Sequence, residues 1–185
     1  VLDKTPFYFE SGGQVSDIGR IYSPELDLKV LDVQKINDTI CHIVKVNKGV
    51  INLDSANVIA EIDLEHRTKT MANHTATHML HKALKEVLGA HVQQSGSLVS
   101  SDRLRFDYTH HSQIKADDLS KIERIINDNI RDNSKLQTSI TKYENAIESG
   151  AIGLFGEKYD DDVRVVEIPD FSKELCGGTH VNRTG

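Results

Sequence analysis

The chain has 185 residues, 38% of them hydrophobic and 27% charged, with a formal net charge of -6. That length holds one medium domain or two small ones, and the acidic balance argues against broad, non-specific coating of nucleic acid, which needs a basic surface. No apolar run approaches the length that spans a bilayer, and two cysteines, Cys41 and Cys176, make no disulfide framework, which suits a reducing cytoplasm with free thiols.

Residues 1 to about 62 read as β structure. The runs "KTPFYFES", "DIGRIYS", "LDLKVLDVQKI", "TICHIVKV" and "SANVIAEID" are rich in Val, Ile, Tyr and Phe, and several alternate apolar with polar. Gly12-Gly13, Ser23-Pro24, Asn37-Asp38 and Asn47-Lys48-Gly49 punctuate them. Strands at this regular spacing predict a small barrel or sandwich. The pattern changes near Glu65. Met71, Met79, Leu80, Ala83, Leu84, Val87 and Leu88 fall mainly at helical spacing and predict a helix from about 66 to 88, stopped by Gly89.

Strand-like "HVQQSGSLVS" and "RLRFDYTH" follow. A second helix is predicted over about 117 to 133, with Leu119, Ile122, Ile125, Ile126 and Ile130 on one face and Asp117 or Asp118 as its cap. Then come a strand ("KLQTSITKY"), a short helix ("ENAIESG") and a strand ("DVRVVEI"), and "CGGTH" closes the series in a turn or at a helix start. The predicted class is α+β: a small β-barrel-like domain over 1–64, then an α+β domain over 65–185. The chain opens at Val1 inside a strand-like run without a leader and stops at "NRTG", which predicts an excised piece of a longer protein.

Two short clusters carry chemistry. In "NHTATHMLH", His74 and His78 are four apart, so one helix face presents both imidazoles to one point. In "ELCGGTHV", Cys176 and His180 repeat that spacing, adding a soft sulfur and a third nitrogen. Gly177 and Gly178 allow the backbone to turn both side chains inward. Three histidines and one cysteine complete a tetrahedral set, and the two clusters together predict one metal site. His81 is read first as a partly buried polar residue further along the helix, with a spare-ligand or supporting role as the alternative. "HTATH" lacks the glutamate of H-E-x-x-H, the deaminase signature is missing, and no P-loop occurs. The residues alone reach a metal site on an α+β domain, structural or catalytic.

Several motifs in order carry a resemblance: "TPFYFESGGQ" (5–14), "NHTATHMLHKALKEVLGAHVQQSGSLV" (73–99), "RLRFDY" (103–108), "GLFGEKY" (153–159) and "ELCGGTHV" (174–181). Over nearly its whole length the chain resembles the editing region of bacterial-type alanyl-tRNA synthetases with the β domain that precedes it. It is also similar to free-standing trans-editing proteins, and more distantly to threonyl-tRNA synthetase editing domains. The resemblance implies an aminoacyl-tRNA deacylase that removes serine or glycine from the 3′ end of alanine tRNA, working beside the remaining synthetase domains. A pocket for alanine rejects serine or glycine poorly by binding alone, so a second, hydrolytic sieve is needed.

The resemblance also implies roles. His74, His78, Cys176 and His180 would hold Zn2+, and Gln94 would serve catalysis, orienting water or ester. Thr77 and Ser95 are candidate readers of the serine hydroxyl, and Gly12 and Gly13 of "SGGQ" would help seat the tRNA end. Phe9 and Ser16 depart from the family, which commonly has Ala and Gly there. The family continues past Gly185 with further editing residues, and its ligation site lies outside this stretch. The implied setting is cytoplasmic and free of membrane. The rival reading from another class is a non-catalytic tRNA-binding module with a structural zinc.

Overall fold

The computed structural model describes residues 1–51, 57–153 and 159–185. Ser55 and Ala56 of the fifth β run, and Leu154–Lys158 of "GLFGEKY", lie outside the described residues.

Alternation builds the first sheet. β1 (Gly19–Tyr22), β2 (Asp27–Ile36), β3 (Thr39–Lys48) and β4 (Ile59–Ile62) pair antiparallel in the order β3-β2-β1-β4. Leu28 and Val30 of β2 point inward at period two. A register shift between Val30 and Asp32 then inserts a residue, leaving Leu31 half exposed and returning Val33 to the core. Asn37, at φ 54, makes the tight β2–β3 turn that "ND" signals.

The predicted barrel does not close. Among the described residues β3 and β4 are free edges of an open sheet. The run "KTPFYFES" was expected as a strand but joins no ladder among the described residues: only the Glu10 N–H reaches β2, at Val33 O, and other backbone donors go elsewhere. Pro6 has no N–H, the Phe7 N–H goes to Thr5 Oγ1 and the Tyr8 N–H goes to Asp17 Oδ2 at 2.6 Å. The segment lies across the sheet instead, with Phe7 packed among Ile21, Leu26, Leu28, Val30 and Val33. The two departures from the family pattern fit. Ser16 is buried and its hydroxyl donates to Asp32 Oδ1 at 2.7 Å, while Phe9 packs on the same core and stacks on Tyr8.

α1 (Leu64–Leu88) begins where Asp63 accepts the His66 N–H and ends at Gly89, whose φ of 116 suits glycine. Its inward face is unusual for a core helix: Thr70, His74, Thr75, Thr77, His78 and His81 are all buried there. Met79, Ala83 and Leu84 supply the apolar contacts. α2 (Ala116–Arg131) packs on α1 through Ile122, Ile125 and Ile126, whereas Leu119 is exposed. Lys115 occupies the cap position without a side-chain bond, so neither Asp117 nor Asp118 caps the helix; both sit in the first turn, where their charge favours the helix dipole.

β5 (Gln94–Val99) and β6 (Leu104–Tyr108) form a two-stranded sheet against α1. β7 (Gln137–Lys142), the short α3 (Tyr143–Glu148), β8 (Asp162–Ile168) and β9 (Ser172–Leu175) complete the chain, with β8 central in the order β7-β8-β9. No helix of the described residues is long and apolar enough to cross a membrane.

One buried ion pair ties the N-terminal segment to α1. Asp17, 3% exposed, accepts from Arg67 Nε at 2.8 Å and from Nη2, and Arg67 also donates to Pro6 O. Removing one member leaves the other buried without its partner. Asp17→Ala is expected to lower unfolding free energy by roughly 3 kcal/mol, read as a fall in the urea midpoint. An unchanged midpoint would show that the pair contributes nothing net.

Candidate metal centre and its cavity

One helix face and one loop supply the four donors. α1 turns His74 and His78 inward, one turn apart. β9 ends at Leu175 and delivers Cys176, after which the chain bends back to place His180. The loop is held by Arg164 of β8, whose Nη1 donates to Cys176 O at 2.8 Å and Gly178 O at 2.7 Å. A Cβ on Gly178 would stand 2.1 Å from His74 Cε1, so only glycine lets this backbone approach the ring; Gly177 faces open space.

One ligand atom from each of the four residues lies within 4.8 Å of the others. Cys176 Sγ is 3.5 Å from His74 Nε2 and 3.3 Å from His180 Nε2. Zinc–sulfur and zinc–nitrogen bonds of ordinary length meeting at a tetrahedral angle set that edge at about 3.6 Å. The donor set and its spacing therefore fit a tetrahedral cation such as zinc.

The outward ring nitrogens are anchored too. His74 Nδ1 lies 2.7 Å from Gln14 Oε1, and His180 Nδ1 lies 3.1 Å from Thr75 Oγ1. His78 Nδ1 faces Glu174 Oε2 at 3.6 Å, an ion-pair contact. Such partners fix the tautomer that leaves the other nitrogen free for a metal. Burial raises the Cys176 thiol, but bonding from His180, His74 and His78 outweighs it and holds the group well below its usual value, as a thiolate. Burial pushes His180 down to about 4, so it is neutral and ready to ligate. Burial also pulls on His78, yet Glu174 and the Cys176 thiolate raise it to about 9; a cation bound here would displace that proton.

His74, His78 and Cys176 form one wall of a cavity of about 80 Å³. Thr77, Gln94, Ser97 and Gly12 line other parts of it, and His180 is not part of the lining.

Comparison with known proteins bears on this arrangement. The family model described as "tRNA synthetases class II (A)" matches residues 1–66, and "Threonyl and Alanyl tRNA synthetase second additional domain" matches residues 163–185. Across all 185 residues the chain is 51% identical to an alanine–tRNA ligase of Fusobacterium nucleatum, 52% to one of Bacillus thuringiensis and 49% to one of Legionella pneumophila. The chain matches a segment of alanyl-tRNA synthetases from end to end. It spans 21% of the length of these curated relatives.

The fold brings most of the sequence-predicted residues together. Thr77 is buried on the cavity wall, and its hydroxyl donates to Asn73 O at 2.8 Å. Gln94 opens β5 and donates from Nε2 to Ser97 Oγ at 3.2 Å. Gly12, at φ 57, faces the cavity. Gly13 does not; at φ 81 it packs on β5, where a Cβ would meet Ser97 O at 2.8 Å, and its carbonyl accepts the Val99 N–H. Ser95 is exposed and absent from the cavity lining. The register shift between Gln94 and Gly96 makes Ser95 the extra residue of a bulge, and Ser97 takes the place expected for it.

Four supporting residues were not expected from sequence. Glu174 is 5% exposed on the cavity wall, near His78 and 3.3 Å from His81 Nδ1. Burial raises its carboxyl, and the two imidazoles hold it below its usual value, so it is a buried carboxylate. His81 thus stands one step behind the ligands. Thr75 and Arg164 position His180 and the loop. Gln14, 1% exposed, spans from the glycine motif to the ligand loop, accepting the Thr179 N–H and donating to Thr179 Oγ1, each at 2.9 Å. Its position after "SGG" was the one available signal. Gln14→Ala is expected to weaken metal binding about 10- to 100-fold, measured by chelator competition, because it frees the His74 ring. Unchanged affinity would leave Gln14 a purely structural tie.

Proposed function

We propose that this segment is an editing domain that hydrolyses the ester joining serine or glycine to the 3′ adenosine of alanine tRNA, within a cytoplasmic alanine–tRNA ligase. On this reading residues 1–64 form a small domain bearing the glycine motif and 65–185 the editing domain, with Gln14 crossing between them. The observation that carries the reading is that Gln94, Thr77 and three of the four candidate ligands wall one cavity.

His74, His78, Cys176 and His180 would hold zinc. Bound there, zinc supplies a fixed positive centre beside the substrate ester. Gln94 has both donors and an acceptor, so its amide N–H donates to the ester carbonyl while its carbonyl oxygen accepts from the attacking water. Thr77 has committed its proton to Asn73 O, which leaves its oxygen as an acceptor for the serine hydroxyl. With alanine in place that acceptor stays unpaired in a buried site, which disfavours alanine. Gly12 leaves room for the terminal nucleotide to approach. The selection of glycine rests on family resemblance.

Deacylation of Ser-tRNA(Ala) and Ala-tRNA(Ala) by this chain tests the reading. The serine ester is expected to be cleared at least about tenfold faster. Equal rates would overturn it. A complete four-ligand set is also what a structural zinc shows. That second reading, a non-catalytic tRNA-binding module, predicts tRNA binding with no loss of either amino acid.

A further inference from the structure

A second group of imidazoles stands away from the cavity. His91 follows the C-terminal turn of α1, and His110 and His111 follow β6. One ring nitrogen from each lies within 4.8 Å of the others. His91 Nε2 is 2.9 Å from His110 Nδ1, and ring centroids are 5.1 Å apart for His91–His111 and 4.6 Å for His110–His111. His91 and His111 are exposed and His110 is half-buried, so a cation could reach them from solvent.

The backbone beneath is fixed. The Thr109 N–H donates to Gln93 O at 2.9 Å, the Gln93 N–H donates to Thr109 Oγ1 at 3.2 Å, and Thr109 Oγ1 lies 3.3 Å from His91 O. The chain therefore brings the three rings together, His91 and His110 stacked at 21° and bonded through Nε2 and Nδ1, and His111 tilted by 41° to each. Burial and then the neighbouring His111 and His91 keep His110 below its ordinary pKa, which favours the neutral imidazole, with one ring nitrogen unprotonated.

We propose that His91, His110 and His111 form a second metal site, taking one divalent transition cation of borderline softness, such as Zn2+, with its remaining position open to solvent. Neutral imidazole suits such ions, and three nitrogen donors without a carboxylate disfavour calcium and magnesium. The site is separate from the Cys176 centre: His78 and the end of α1 are roughly 15 Å apart along the helix. It has no thiolate and binds more weakly.

Position gives this site a consequence. It joins the turn after α1 to the end of β6, across the open end of the β5–β6 sheet that carries Gln94 and Ser97. A two-stranded sheet is marginally stable alone, and a cation shared by both ends would clamp it.

Untagged, metal-free chain titrated with Zn2+ by calorimetry tests the proposal, with ring signals of the histidines followed by NMR on the same sample. Two binding steps are expected. The second should shift the rings of His91, His110 and His111, weaken at least tenfold in His111→Ala and vanish in the His91→Ala/His111→Ala double variant, with the first step unchanged. One step only in the wild type, a second step that survives in the double variant, or a second step that leaves those three rings unshifted would overturn it. The NMR readout on wild type stands even if a variant misfolds.

Discussion

Replacing Cys176 by alanine is expected to weaken metal binding by about 100-fold or more, beyond the range seen when a supporting partner of a ligand is lost. Cys176 is the one anionic donor of the set, and the three histidines converge on its sulfur. Without it, His74 Nε2 and His180 Nε2 lose their shared partner and no donor balances the cation's charge. The metal-free chain should also lose some stability, because three largely buried imidazoles lose the thiolate they share. The stabilisation that zinc confers on the wild type by mass action should fall away in the variant. Competition with a chromophoric chelator, paired with thermal midpoints with and without zinc, reads both effects. Affinity within a few-fold of wild type would mean that the four side chains do not form one centre.

Gln94→Ala is expected to lower single-turnover deacylation of Ser-tRNA(Ala) by about 100- to 1,000-fold, the loss typical of a donor aimed at developing charge. Metal content should not change, since Gln94 touches none of the four ligands and its protein partner is Ser97. This separates it from Cys176→Ala, in which binding and rate fall together. A zinc-loaded Gln94→Ala protein that clears serine at the normal rate would remove Gln94 from the chemistry.

Local patterns made much of the fold legible. The alternation in β2, the turn at Asn37 and the stop at Gly89 each depend on residues within a few positions, and each element lies where its pattern placed it. The convergence of His74, His78, Cys176 and His180 was legible for the same reason: both halves carry a four-residue spacing, and only their meeting is long-range. Failures came where a side chain or backbone group bonds to something distant. "KTPFYFES" has strand composition, but Asp17 takes a donor the ladder would need. β9 escaped notice because its buried residues include Ser172 and Glu174, polar groups that the pattern reads as solvent-facing; the histidines of α1 make the Glu174 charge tolerable. Ser97, and not Ser95, lines the cavity because the bulge at Ser95 reverses period-two parity, which leaves little trace in composition. Gln14 meets Thr179 across 165 positions of sequence, a separation no local signal spans.

The central claim is that one cavity, walled in part by three of these four donors, removes serine from alanine tRNA. The most direct measurement adds zinc stepwise to metal-free chain, quantifies bound metal at each step, and follows deacylation of Ser-tRNA(Ala) and Ala-tRNA(Ala) on the same samples. Serine release that rises with occupancy of the tight site, saturates when that site is filled and leaves alanine attached is the predicted result. Full serine release from metal-free protein, or none from the loaded protein, would contradict it.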